Sequence, residues 1–246
     1  MITMAGIRTL ILLGVLFLGG SVTAQTTQLV REGKITYERR TNLWKIFDDE
    51  RMRQFVGEKN KVKTEEFSLY FNDSSSLFSY IAPEQPDPQS FLTMKNTVYN
   101  QFNKKQRFVY MDMMGNSMTV GDSLVKHTWK ITDKTRKIAG YECTRVIWQK
   151  DDTTRIYAWF TTDIIPSVGP ENIQGLPGAV LGLATEDGSI VYFAKKVEVL
   201  APTVEQIAQP KKKGKQYTQA ELIAELTERL KGQPYGERII TGMFYW

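Results

Sequence analysis

Short runs in which apolar and polar side chains alternate, each closed by a turn cluster, recur along the chain from Lys34 to Val199. Alternation with a period of two puts every second side chain on the same face of a strand. Residues 62–71 are the clearest case: Phe67, Leu69 and Phe71 share one face, and Asn72-Asp73-Ser74-Ser75 supplies a turn into a strand over 77–81. Pro83, Pro86 and Pro88 then enforce a loop. Further strands are predicted over 34–44, 97–102, 107–113, 122–131, 138–148 and 155–160. A hairpin spans 179–199 and turns at Glu186-Asp187-Gly188. Ile190-Val191-Tyr192-Phe193 is apolar on both faces, which requires cover on both sides. The expected fold is mostly β: a single curved antiparallel sheet or a partly open β-barrel or sandwich, with one C-terminal helix.

Helical signals are few. Residues 48–60 are highly charged, with Met52, Phe55 and Val56 at helical spacing, and read as a short surface helix. Near Pro202 the chain changes character. Lys211-Lys212-Lys213 and Lys215 around Gly214 form a basic linker, read as a solvated loop. Thr218 and Glu221 then form a capping box, Leu222, Leu226 and Leu230 follow on one stripe, and Gly232 with Pro234 stops the helix. Residues 238–246 read as a last strand. The organisation expected is a signal peptide over 1–24, an antiparallel β domain over 25–200, and the linker, helix and strand of 201–246 docked on it.

The first residues follow the three-part plan of a secretory signal: Arg8, an unbroken apolar run from Leu10 to Leu18, and small residues at Val22-Thr23-Ala24. Cleavage is expected between Ala24 and Gln25. The run is shorter than the roughly 20 residues that span a bilayer, and no later stretch is longer, so the mature chain is not expected to be an integral membrane protein. Without Arg8, 31 Lys and Arg stand against 27 Asp and Glu. That mild, scattered excess forms no basic stripe and argues against a nucleic-acid partner.

Composition narrows the chemistry further. His127 is the only histidine and Cys143 the only cysteine, so the common zinc sites and an intrachain disulfide are excluded. The two fall on neighbouring predicted strands. His127 shares its face with Val125, Trp129 and Ile131, as a core histidine does, and Cys143 is expected to be buried. No glycine-rich phosphate or dinucleotide motif is present, no Gly-x-Ser-x-Gly elbow accompanies His127, and no cofactor is implied. Met111, Met113, Met114 and Met118 are the unusual local composition: thioethers suit Cu(I), and methionine is equally an adaptable core filler.

The most distinctive stretch runs from Ile164 to Val180 and contains Gly175-Leu176-Pro177-Gly178-Ala179-Val180. It resembles the signature of the GLPGLI family of exported proteins of Gram-negative bacteria, with conservative departures at the last two positions. Trp129-Lys130-Ile131-Thr132, Ile138-Ala139-Gly140-Tyr141-Glu142-Cys143 and Tyr157-Ala158-Trp159-Phe160-Thr161 are similar to further blocks of that family, in the same order. The resemblance implies a periplasmic or outer-membrane-facing location and transfers no catalytic residue. On the residues themselves, Pro177 and Gly178 suit the central positions of a type II turn, and Pro166 and Pro170 stiffen the approach. Such a loop has two readings. It closes one end of a curved sheet, in which case the side chains of Glu171 and Asn172 matter little, or it presents Glu171 and Asn172 to a partner. The functional expectation is a non-enzymatic periplasmic protein that binds an apolar, lipid-like ligand or an envelope protein partner. A structural envelope component, copper handling through the methionines and a hydrolase are the alternatives.

Overall fold

The computed structural model describes residues 29–246, apart from Met114, Lys212, Lys213, Pro234 and the side chain of Met113. The expected signal peptide and its cleavage point lie outside the described residues. Two meanders account for the strands. The first is β1 (Gly33–Asn42), β2 (Val62–Phe71), β3 (Ser75–Ile81), β4 (Thr97–Gln101), β5 (Gln106–Met113) and β6 (Asn116–Ser123). The second is β7 (Lys130–Ile138), β8 (Tyr141–Gln149), β9 (Arg155–Thr161), β10 (Ala179–Thr185) and β11 (Ile190–Glu198). β11 returns to pair antiparallel with β1, and β12 (Lys215–Tyr217) adds itself parallel to β6. The result is one 12-stranded sheet of order β12-β6-β5-β4-β3-β2-β1-β11-β10-β9-β8-β7. It is therefore mixed, because of β12, where a purely antiparallel sheet was expected.

The connection from β6 to β7 decides the shape of this sheet. In a flat sheet those strands would stand ten inter-strand spacings apart, about 48 Å at ~4.8 Å each. The seven steps from Ser123 to Lys130 reach at most about 24 Å. The sheet must curl until its two ends approach, and it does so without closing into a barrel, since β7 and β12 remain unpaired edges. The expected strand over 122–131 is thus three things: the end of β6, a crossing segment over 124–129, and the start of β7. β7 protects its open edge with exposed Lys130, Lys134, Arg136 and Lys137.

The concave face holds the core. Ile35 and Tyr37 of β1, Phe67, Leu69 and Phe71 of β2, and Phe78 of β3 are all fully buried. The rings of Phe67 and Phe78 stack with centroids 5.0 Å apart. Complete cover on both faces falls on β10, all of whose residues are buried; on β11, Ile190, Val191 and Phe193 stay half-buried.

Two local expectations need correction. β1 ends at Asn42, whose side chain caps the short helix α1 (Leu43–Ile46), so Trp44 is helical. The helix α2 (Glu50–Val56) follows, capped by Asp49. After α3 (Gln219–Arg229), where the Thr218–Glu221 capping box is present, residues 236–243 form a second helix, α4 (Gly236–Met243), in place of the terminal strand. The pair Ile239-Ile240 has strand propensity, but with Met243 it recurs at helical spacing, and packing on the core overrides propensity.

Candidate functional site

The Pro/Gly segment between β9 and β10 folds inward. Ala179 N bonds Ile164 O at 3.1 Å and Val180 N bonds Val168 O at 2.8 Å, so the segment runs back along the start of β10. The 2.8 Å bond from Gly178 N to Leu176 O closes a three-residue γ-type turn around Pro177. This replaces the expected type II turn. Gly178 does need its positive φ of 146°, and a Cβ there would lie 2.0 Å from Thr161 O. Gly175, at φ 89°, passes close to Lys126 of the crossing segment, and Trp129 Nε1 donates to Gln174 O at 3.4 Å. Gly175 and Pro177 are exposed, while Leu176 is buried. The loop therefore packs against the crossing segment at Gln174 and Gly175.

Glu171 and Asn172 are correspondingly not presented to solvent, being only 4% and 7% exposed. Glu171 sits in the left-handed region at φ 53°, a strained position for a residue with a side chain, and points into a charged cluster on the concave face. Tyr192 Oη donates to its Oε1 at 2.5 Å, and the Arg39 guanidinium stands 3.7 Å away. Arg39 in turn donates to Glu65 through Nη2 at 2.5 Å and Nε at 3.2 Å. Thr93 Oγ1 and Lys95 Nζ complete the shell of Glu65 at 2.7 and 3.1 Å. Burial opposes ionisation of Glu65, but Arg39, Thr93 and Lys95 together hold it below its ordinary range. Burial prevails at Glu171 and raises its carboxyl, against the pull of Arg39 and Tyr192. The cluster is thus two carboxylates sharing one arginine and driven in opposite directions.

A second polar group lies beside it, built around Arg107 of β5. A small cavity of about 20 Å³ touches Arg107, Asn96, Glu171 and Asn172 on its polar side. Its apolar side is Val98, Val109, Met111 and Val120 from the strands, with Met243, Phe244 and Trp246 from the C-terminal segment. That segment is held by few polar contacts. Lys150 Nζ donates to Tyr245 O at 2.5 Å, and Arg238 pairs with Asp48 at 3.0 Å. The Trp246 ring rests edge-on against Tyr192 at 6.0 Å between centroids.

The remaining sequence candidates are dispersed. Met111 and Met118 lie opposite each other on β5 and β6 and are buried in the core, so packing accounts for them. Met113 ends β5, and Met114 lies outside the described residues. Among the described residues no group of three His, Cys, Asp or Glu side chains converges as metal ligands. Cys143 is fully buried on β8, and its Sγ donates to Tyr141 O at 3.6 Å. Burial pushes its thiol up to about 11. His127 is on the crossing segment rather than a strand, half-buried, with its ring 3.9 Å from that of Trp148. Burial, then Arg107, pushes it down to about 4, so it is neutral at pH 7. A thiol held protonated beside Tyr141 and an imidazole stacked on Trp148 do not make a nucleophile–base pair. Arg39, Glu65 and Arg107 were missed as site residues. The signal was there: each occupies an inward position of an alternating strand.

Comparisons with known proteins agree with the fold and leave the site open. The family described as "Protein of unknown function (Porph_ging)" matches residues 147–182, the span from β8 through the Pro/Gly loop into β10. No curated protein matches. Two crystal structures of PNGF-II, in different space groups, each superpose with a TM-score of 0.52 at 16% identity over 76% of this chain. The chain spans about a third of PNGF-II, 32% and 31% of the two structures, so what is shared is a fold. An uncharacterised conserved protein from Thermus thermophilus aligns at a TM-score of 0.40 and 6% identity, over 76% of this chain and 90% of its own. Among the described residues no helix is long and apolar enough to cross a membrane.

Proposed function

We propose that this is an exported, non-enzymatic binding protein of a Gram-negative periplasm, of the GLPGLI type, whose curled sheet takes an apolar ligand on its concave face. One observation carries the reading. The apolar side of the interior cavity is completed by Met243, Phe244 and Trp246, a segment that follows the whole sheet in sequence and is held mainly by side-chain packing. A scaffold would fill its core from its own strands. Here the wall formed by Val98, Val109, Met111 and Val120 is covered by a segment outside the sheet that a ligand of similar apolar character can displace. The segment has few polar ties, and the apolar surface of a ligand would replace the burial that its side chains lose.

Native mass spectrometry of the protein purified from its own envelope tests the reading. The expected spectrum shows a retained mass increment of a few hundred daltons (roughly a lipid or smaller) that disappears on denaturation, on a chain beginning at Gln25. Replacement of Phe244 and Trp246 with alanine should raise the retained fraction. Intact Met1 would remove the export claim. A ligand-free parent that also fails to take up detergent or lipid in vitro would leave a structural envelope role instead.

A further inference from the structure

Arg107 is one of the most deeply enclosed side chains of the protein, 2% exposed, and it is also one of the least answered. Among the described residues its single hydrogen bond runs from Nη2 to Gln219 Oε1 at 3.2 Å, and Nε and Nη1 have no partner. Asp122 lies opposite it on β6 and is the only acid whose charge it feels appreciably, but Asp122 Oδ2 is engaged 2.7 Å from Gln219 N at the start of α3. Among the described residues no carboxylate stands within ion-pair distance of Arg107. Arg39, on the same concave face and almost as buried, has Glu65 at 2.5 Å and Glu171 at 3.7 Å. A guanidinium cannot shed its proton to escape burial, and a buried charge left without a counter-charge is strongly destabilising.

The surroundings repeat the pattern. Asn96 and Asn172, which line the same cavity, each leave Oδ1 unpartnered, as does Asn100, the cross-strand neighbour of Arg107. Asn96 Nδ2 donates to Glu171 Oε2 at 3.4 Å and Asn100 Nδ2 to Ser76 Oγ at 3.1 Å, so of the three it is the Asn172 amide that can reorient and offer an N–H in place of its oxygen. The cavity itself, about 20 Å³, has room for a single water, which does not neutralise a charge. Space for anything larger appears only when Met243, Phe244 and Trp246 move away, and what they would vacate is apolar.

We infer that Arg107 is the head-group site for an amphiphile carrying one negative charge, a carboxylate on a long apolar tail, with the tail taking the place of Met243, Phe244 and Trp246. This rests on the binding reading above and names its ligand class. One unmatched arginine answers a single negative charge, and the cavity lining offers no second cation. A planar carboxylate satisfies the open guanidinium nitrogens by charge-assisted hydrogen bonds. The amide of Asn172, which lines the same cavity, is placed to supplement them.

The test uses the full mature chain, freed of bound lipid, with oleate and oleyl alcohol below their aggregation limits and acetate as a head-only control. Binding is measured by calorimetry, and melting is followed in parallel. Oleate is expected to bind at least tenfold more tightly than oleyl alcohol, and acetate not at all. Arg107→Gln should lose that tenfold preference by weakening oleate, with oleyl alcohol unchanged, while melting at or above the parent temperature because a buried charge has been removed. If the parent binds oleate and oleyl alcohol equally, the head-group assignment is wrong and the binding reading survives. If neither binds, both are wrong. If Arg107→Gln melts well below the parent, Arg107 is a structural residue satisfied by water, and the assignment also fails.

Discussion

Removing the carboxylate of Glu65 is the sharpest perturbation of the charged cluster. Its two oxygens accept from Arg39 Nη2 and Nε at 2.5 and 3.2 Å, from Thr93 Oγ1 at 2.7 Å, and face Lys95 Nζ at 3.1 Å. In Glu65→Ala, Arg39 stays buried with Glu171 as its one acidic neighbour, at the longer distance of 3.7 Å. Breaking one side of a buried pair costs about 3–5 kcal/mol. Against a total stability of about 5–15 kcal/mol that is a large share. At about 2–4 °C per kcal/mol for a chain of this size, melting should fall by about 6–20 °C. Scanning calorimetry and urea titration read the effect directly. The pH dependence has a definite sign. Because the folded pKa of Glu65 is depressed, its contribution is complete above the unfolded value and is lost as pH falls through the folded one, so parent and variant should converge on acidification. The double variant Arg39→Met with Glu65→Leu removes both charges and should recover most of the loss. If Glu65→Ala melts within about 1 °C of the parent, or if the double variant is worse than the single, the cluster is not held by matched charge and the reasoning fails.

Gly178→Val should destabilise by about 3 kcal/mol or more, read as a lowered urea midpoint, since a Cβ meets Thr161 O at 2.0 Å on a backbone already at positive φ. Cys143, fully buried with its thiol pushed up to about 11, should resist a thiol reagent at pH 8 in the native protein and react completely in denaturant. Glu171→Ala combined with Asn172→Ala should cost about 2–4 kcal/mol, because both side chains are buried and Tyr192 loses its acceptor; melting unchanged from the parent would return them to the surface role that a solvent-facing loop implies. His127, neutral and pressed against Trp148, should show no titration of its ring carbons by NMR between pH 5 and 8; a midpoint near the ordinary 6.5 would place it in solvent.

Most strands were legible because period-two alternation is a local signal: residues 62–71 form β2 at both predicted ends, and the turn at Asn72-Asp73-Ser74-Ser75 leads into β3. The errors lie where tertiary context decides. Val125, His127 and Trp129 alternate as a strand does, but they sit where the chain must cross from one end of the sheet to the other. Ile239-Ile240 reads as strand until Met243 is seen to face the same interior. The Gly-Leu-Pro-Gly loop was legible as stiff and as distinctive. Its direction was not, because loops usually run over the surface and a polar pair such as Glu171 and Asn172 reads as exposed. Burying them requires partners from β1, β2 and β11, and no local window contains Arg39, Glu65 and Tyr192 together.

The two buried arginines show how such a site can be found when neither motif nor metal marks it. Arg39 and Arg107 are alike in burial, in strand position and in facing the same interior, so charge and enclosure alone do not separate them. What separates them is the answer each receives. Arg39 is met by Glu65 from the adjacent strand and by Glu171 from the Pro/Gly loop, and the backbone of that loop accepts a left-handed residue to deliver it. A chain that goes to this length for one arginine has the means to neutralise the other. Asp122 stands directly across from Arg107 yet is turned to the start of α3, and the cavity beside Arg107 is closed by a segment that belongs to no strand. An internal charge that the fold leaves unmatched, next to a wall covered by a segment outside the sheet, fits a partner that comes from outside the chain.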